Sequence, residues 1–288
     1  MNRVAAVLVA AAVMTGIPGS AAAAADSQRA LLERHRPVLV YDRAERWRAT
    51  GVDEFVADGL PRLSATPTSP SARDVVYGRV ARDGGHRWLQ YWLFFAYNGQ
   101  DRGIVRTGRH EGDWELFQLR LAADGEPDAA TFTQHSSAAA CRWDQLERDA
   151  ATTARIYVGN GSHALYPRRG VHDRPFPDPN DEARGDETAL PQIRVVTAAS
   201  PNWMRWDGRW GESRAGLVPG EQSSPHGPAH AGERWADPAR LHVEARACLT
   251  APGGARWVSP ALGAAGAALG LALALVLRRR RRIRADRS

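Results

Sequence analysis

The chain has 288 residues and a formal charge of +6, carried on the basic side entirely by arginine, since none of its 38 basic residues is lysine. Seven of those arginines crowd the last eleven residues, and from Asp26 to Trp257 the chain holds 30 arginines against 31 acids. A near-neutral body excludes phosphate tracking by a basic face, so no nucleic-acid partner is expected. A hydrophobic content of 43% with ten tryptophans excludes a disordered chain.

Residues 1–25 read as a signal peptide. Arg3 precedes the apolar run Val4–Ile17, a Pro18-Gly19 break, and small residues from Ser20 to Ala25 suited to a signal-peptidase cut. One extracytoplasmic domain is expected over 26–257, opening with a helix at Gln28–His35. Strand-like runs follow at Arg36–Asp42, Asp74–Ala81, Arg87–Tyr97, Asp113–Leu121, Ala130–His135, Ala154–Gly159 and Ile193–Thr197. Turn residues such as Asp83-Gly84-Gly85 and Asp124-Gly125 separate several of them. Gln145–Thr152 reads as a helical turn, and Pro167–Pro191 and Gly211–Pro238 as long surface loops. Many short strands with few helical patterns predict an all-β (mainly β) domain, a β-sandwich with long loops and a few short helices. Arg87–Tyr97 is apolar on both alternating faces, which predicts a central strand covered on both sides, with Trp88, Trp92 and Phe94 in the core. Cys141 and Cys248, in an exported domain, predict one disulfide.

Beyond the domain, Val258–Leu277 is a run of 20 uncharged residues, about 30 Å long as a helix and so matched to a bilayer's hydrocarbon core. Five arginines follow at once. This predicts a single-pass transmembrane helix over 258–277, with the domain outside and the basic tail 278–288 in the cytoplasm, and hence a cell-membrane location. Gly266 and Gly270 form a small-xxx-small pair that suits a homodimer.

The chemistry gathers at His110-Glu111-Gly112-Asp113-Trp114-Glu115. Residues two apart on a strand share a face, so Asp113 and Glu115 share that of Phe117, Leu119 and Leu121. Inward-facing carboxylates cost several kcal/mol each unless paired or bound to a cation. Three readings stay open: a cation, neutralisation by Arg106, Arg109 or Arg120, or a bulge at Gly112 that turns both acids to solvent. His135, ending a strand, and His163, after the turn Gly161-Ser162, are further candidates for ligand binding, each equally at home as a hydrogen-bonded structural histidine.

His110–Glu115 (HEGDWE), Gln134-His135-Ser136 and Gly161–Pro167 (GSHALYP), in that order, resemble the Vps62-related (plant DUF946-type) proteins. So do Arg36–Tyr41 with Glu45 behind it, Tyr91–Gly99, Trp206–Gly211, Ser224–Pro228 and Trp235–Pro238. More distantly, His110, Asp113 and Glu115 match the second His, the Asp and the Glu of the Gly-His-Arg-His-Asp-Trp-Glu motif of the necrosis-inducing cytolysin-like (NPP1-type) proteins. This sequence departs from it by inserting Glu111-Gly112. That likeness implies a β-sandwich with a divalent cation in an acidic cavity that engages membrane headgroups, with Asp101 added as an upstream ligand. The implied metal ligands are Asp101, His110, Asp113 and Glu115. Carboxylates with one imidazole and no thiolate favour Mg²⁺, Ca²⁺ or Mn²⁺ over Zn²⁺.

Three functions are compatible with this reading. The domain is a cation-dependent binder of glycan or lipid headgroups, a metal-assisted hydrolase of envelope phosphoesters or glycans with Glu111 or His163 as base, or a structural ectodomain with no metal. Sequence signatures of the common hydrolases, zinc proteases and nucleotide binders are missing.

Overall fold

The computed structural model describes residues 19–57, 60–61, 74–100, 108–174, 179–211, 223–248, 266–273, 275 and 278. Helix α1 spans Gly19–Arg34, longer than the expected Gln28–His35. Its start lies upstream of the expected cut after Ala25, but Ala23 and Ala25 are exposed and the first buried side chain is Leu32. Cleavage there would keep the turn that docks, where the Tyr91 hydroxyl donates to the Leu32 carbonyl at 3.0 Å. Residues 1–18 of the expected signal peptide lie outside the described residues.

Strands β1 (Val38–Tyr41), β2 (Val56–Ala57) and β3 (Leu60–Pro61) lead to the long hairpins of β4 (Val75–Asp83), β5 (His86–Asn98), β6 (His110–Leu121), β7 (Pro127–Gln134) and β8 (Ser137–Arg142). Then come β9 (Arg148–Ala150), β10 (Thr153–Val158), β11 (Leu165–Tyr166), β12 (Gly170–His172), β13 (Asp181–Ala183), β14 (Glu187–Ala189), β15 (Gln192–Val195) and, after the short helices α2 (Glu233–Ala236) and α3 (Pro238–Glu244), β16 (Arg246–Ala247). The larger sheet runs β15-β4-β5-β6-β7-β8-β16, and the smaller runs β11-β10-β1-β14 with β9 beside β10. The fold is mainly β.

Side-chain alternation builds two cores. Leu89, Tyr91, Leu93 and Phe95 on one face of β5 meet Leu39, Ile156, Val158 and Leu165 of the smaller sheet, so the two sheets pack face to face. Trp92, Phe94 and Ala96 on the other face join Trp114, Leu116, Trp203, Trp210 and Trp235 under the chain's later segments. Trp88, Trp92 and Phe94 are all buried, as a strand covered on both sides requires.

Three local expectations are corrected. Gln145–Thr152 is not a helical turn: a 3₁₀ turn at Trp143–Gln145 is followed by β9. Pro167–Pro191 is not wholly loop, since β12, β13 and β14 pair within it or back onto β1. Gly211–Pro238, whose residues 212–222 lie outside the described residues, ends in a strap carrying the 3₁₀ turn Pro228–His230 and α2. A polar stripe on an otherwise apolar sheet face holds the strap. Gln90 Nε2 donates to the Arg234 carbonyl at 2.8 Å, Gln118 Nε2 to the Pro238 carbonyl at 2.9 Å, and Thr131 Oγ1 lies 2.8 Å from His242 Nδ1. Buried amides without such partners would each cost about 1–3 kcal/mol, so the stripe requires the strap. Cys141 on β8 is bonded to Cys248 just beyond β16.

Among the described residues no helix is long and apolar enough to cross a membrane. Within the expected span 258–277 only residues 266–273 and 275 are described, as helix, and include Gly266 and Gly270; the rest lies outside the described residues.

Candidate functional site

One end of the two facing sheets gathers the polar residues. β5 delivers Asn98, β6 delivers His110, Asp113 and Glu115, and the β7–β8 turn delivers His135. The β10–β11 turn delivers His163, and β13 delivers Asp181. Gly112 has φ of +56°, open to glycine at no steric cost, and it is skipped in the β5–β6 pairing, yet the register keeps the same offset on either side, from Phe95↔Asp113 to Tyr97↔Glu111 and Asn98↔His110. The acids therefore stay inside, Asp113 6% and Glu115 3% exposed. The β6–β7 register stops at Phe117↔Phe132. Beyond it the Leu116 amide donates instead to Thr133 Oγ1 at 2.7 Å, and Thr133 donates in turn to Glu115. Glu115 sits where the two strands part.

A cavity of about 400 Å³ opens there, with Asn98, His110, Asp113, Glu115 and Trp114 in its wall together with His135, Arg174 and Arg234. Asp113 Oδ2 accepts from Asn98 Nδ2 at 3.2 Å and lies 3.0 Å from His163 Nδ1. Fully buried His163 stacks on Phe95 at 4.0 Å between ring centroids, and its Nε2 lies 3.6 Å from Glu45 Oε1. Glu45 is itself fixed by the amides of Trp47 (2.7 Å) and Gly161 (2.5 Å). Burial works to lower the His163 pKa, but Glu45 and Asp113 outweigh it and raise it to about 9. His163 is an imidazolium between two carboxylates. Burial works to raise the Asp113 pKa, but the bond from His163 and the nearby histidine charges bring it below its ordinary value. For Glu115, burial first and then the Asp113 charge outweigh the opposing Arg234 and His135 charges and the Thr133 bond, and raise it to about 7.

A second buried acid, Asp181, accepts at Oδ2 from Tyr166 (2.6 Å) and lies there 2.8 Å from His135 Nε2, while Oδ1 accepts from Gln100 (3.0 Å). Burial opposes its ionisation, but His135 and Arg174 bring its pKa down to about 2, and His135 is raised in exchange. His135 and His163 both have positive φ, +58° and +56°, an uncommon conformation for a residue other than glycine. Each is tied to a buried aspartate.

The expected site residues thus divide. His110, Asp113, Glu115 and His135 line the cavity; Glu111 and His163 do not; Asp101 lies outside the described residues. Arg120 is paired with Asp128 at 2.7 Å and not with these acids; Arg106 lies outside the described residues. Glu45, Asn98, Gln100, Tyr166, Arg174, Asp181 and Arg234 were not anticipated as site residues, although Glu45, Asn98 and Tyr166 belong to the segments that carry the family resemblance. Among the described residues, no three His, Cys, Asp or Glu side chains stand grouped to hold a metal ion.

The pKa shifts set a pH profile. His163 and Glu115 have folded pKa values above their ordinary 6.5 and 4.5. The stability each contributes is full below the ordinary value and lost as pH rises through about 9 and about 7 respectively. Asp181 acts in the opposite sense, its contribution being lost only as pH falls from 3.8 through about 2. In chelator, the melting temperature is expected to be highest near pH ~5 and to fall in two stages toward pH ~10. Glu115→Gln should erase the earlier stage alone. A profile flat from pH ~6 to ~10 would contradict the buried imidazolium.

The family model for vacuolar protein sorting-associated protein 62 matches residues 71–213. That range includes Asn98 to Arg174 of the cavity wall but neither Glu45 nor Arg234. No curated protein matches the chain. Solved structures similar to it include Necrosis and Ethylene inducing Protein 2 from the causal agent of cocoa's witches' broom disease, at 18% identity and a TM-score of 0.39, covering 57% of this chain and 72% of that one. NLPPya in complex with mannosamine is 16% identical with a TM-score of 0.42, covering 59% and 73%. The non-toxic HaNLP3 protein is 15% identical with a TM-score of 0.40, covering 61% and 77%.

Proposed function

We propose that the Vps62-family domain over residues 71–213, completed by the flanking segments, is a recognition module. Its acidic cavity wall takes a divalent cation and presents it to the hydroxyl groups of a glycan or lipid headgroup. The observation that carries this reading is Asn98. Its Nδ2 is committed to Asp113 and to the Ser162 carbonyl (3.3 Å), which orients the amide, and its Oδ1 is then buried with no hydrogen-bond partner among the described residues. The bare amide oxygen adds a third acceptor beside the carboxylates of Asp113 and Glu115, an oxygen-rich patch that a cation would satisfy. His110 suits the same end. Its Nδ1 lies 3.0 Å from the Gly112 carbonyl, which can only accept, so in the neutral ring Nε2 keeps the lone pair. The groups that would hold a cation are Asp113, Glu115 and the Asn98 oxygen, with His110 beside them. Oxygen donors favour Ca²⁺, Mg²⁺ or Mn²⁺ over Zn²⁺. When bound, the ion supplies Lewis acidity and open coordination positions.

The hydrolase alternative is less supported. His163 is sealed between Glu45 and Asp113, and Glu111 is not in the cavity wall, so neither is positioned to take a proton from a bound substrate. Tethering through 258–277, with the domain outside the membrane, belongs to the same proposal and rests on the sequence pattern.

Calorimetric titration of the full chain in detergent with Ca²⁺, Mg²⁺ and Mn²⁺ is the test. Binding of one ion per chain is expected, weakened about tenfold or more, some 1.4 kcal/mol, by Glu115→Gln without loss of fold. No heat and no metal by elemental analysis would leave the structural-ectodomain reading. Chelator-sensitive turnover of a phosphoester or glycan would favour the hydrolase.

A further inference from the structure

We propose that Arg174, Arg234 and His135, which line the same cavity, form a subsite for a phosphate ester, so that the ligand is a phosphorylated polyol rather than a neutral glycan. The polyol end rests on the recognition reading above; the phosphate end does not. Arg234 is the central observation. It stands on α2, held over the sheet by the Gln90 bond to its own carbonyl, and its Nη2 donates to the His135 carbonyl oxygen. Among the described residues that is its only side-chain hydrogen bond, and it makes no salt bridge there, although it lines a cavity that also holds Glu115. A guanidinium carries five N–H donors in a fixed fork, and one carbonyl oxygen leaves most of that capacity directed to whatever enters.

Arg174 and His135 are positioned by second partners. Arg174 Nη1 donates to Gln100 Oε1 at 2.7 Å, and Gln100 Nε2 donates to Asp181. His135 Nε2 meets the same Asp181 at 2.8 Å, so Nε2 carries the proton, and the side chain remains 25% exposed. The charge of Asp181 favours the imidazolium form, a third cation in the wall. The three donors come from three separate elements: α2, the loop after β12 and the β7–β8 turn. A carboxylate is satisfied by one bidentate guanidinium. Two guanidinium groups and an imidazolium exceed what it can use and match the three terminal oxygens of a phosphate monoester.

The test compares glycerol 3-phosphate, glycerol, inorganic phosphate and glucuronate by calorimetry on the full chain in detergent. Glycerol 3-phosphate is expected to bind at least about tenfold more tightly than glycerol or glucuronate. Arg234→Gln should remove that preference while Ca²⁺ binding is kept or strengthened, since the variant takes a positive charge out of the same wall. Arg174→Gln is the second variant should the first lower the melting temperature. Equal affinity for glucuronate, or preference intact in both arginine variants, overturns the subsite. Arg234-dependent binding of inorganic phosphate with no divalent ion bound upholds the subsite and removes the cation reading. Ca²⁺ binding with no affinity for any phosphate does the reverse. Vesicles of phosphatidylglycerol run beside the free ester distinguish the source: binding to both indicates a lipid headgroup, binding to the free ester alone a soluble ligand, and either is consistent with the subsite.

Discussion

Asp113→Ala is expected to lower stability by about 3–5 kcal/mol, because it leaves a buried cation with one of its two counter-charges gone. For a domain of this size that corresponds to a melting-temperature loss of roughly 6–20 °C. No metal enters this charge balance, so the measurement belongs in chelator. His163 is fully buried, stacked on Phe95, and held as an imidazolium by Glu45 and Asp113. Two substitutions sharpen the result. Asp113→Asn keeps the shape and removes only the charge, so it should cost nearly as much as alanine. Glu115→Gln should be close to neutral at pH ~4, already stabilising at pH ~6 and fully so at pH ~8, because the penalty of the wild-type carboxyl develops between its ordinary 4.5 and its folded value of about 7. The pair Asp113→Ala with His163→Phe should recover at least about 1 kcal/mol of the summed single losses, since the two residues share one contact. A loss under about 1 kcal/mol for Asp113→Ala, the scale of an exposed ion pair, would mean that the carboxylate is not what keeps His163 charged.

The same residue marks where sequence reasoning stopped. Period-two alternation along Arg87–Tyr97 and Asp113–Leu121 was enough to assign the two central strands, to bury Trp88, Trp92 and Phe94, and to set Asp113 and Glu115 on the face of Phe117. Those are local facts, since register follows from which side chains are apolar. What balances Asp113 is not local. His163 is 50 residues away and arrives through a turn of the other sheet, and Glu45 arrives from before the first hairpin. Arg106, Arg109 and Arg120 were natural counter-charges by proximity in sequence, yet Arg120 points along its own hairpin to Asp128. The strap was misread as loop because its anchors are main-chain carbonyls, which no side-chain pattern reveals. One clue was present and unused. Gln90 and Gln118 sit on faces of otherwise apolar strands and pair across them, Nε2 to Oε1 at 3.1 Å, and buried amides of that kind require a covering segment. Strand β8 escaped because Ser137–Arg142 is built largely of alanine, with little of the β-branched or aromatic character that marks strands.

Reducing the Cys141–Cys248 disulfide, or replacing both residues by alanine, is expected to cost about 4–5 kcal/mol by the chain-entropy relation for a closure near 100 residues; the separation here is 107. The melting temperature should fall by roughly 8–20 °C. The loss should also be local at first. β16 pairs with β8 through only two register positions, Arg246↔Ala139 and Ala247↔Ala140, and both of its residues are exposed. Without the covalent link that end is held by α3 and by the Arg246 guanidinium, which donates to Ser137 Oγ. The strap further back has its own anchors, the Gln90 and Gln118 bonds to the carbonyls of Arg234 and Pro238 and the Arg79 guanidinium 3.8 Å over the Trp235 ring. Hydrogen exchange should therefore lose protection at 246–248 on reduction while 233–238 stays protected, and Arg234 should remain at the cavity. If protection is lost along the whole strap together, the amide stripe is too weak to hold α2 alone, and cavity binding would then depend on an oxidised protein. If neither protection nor melting temperature changes, the reduced chain already holds its end as firmly as the oxidised one, and the entropic account of the crosslink fails.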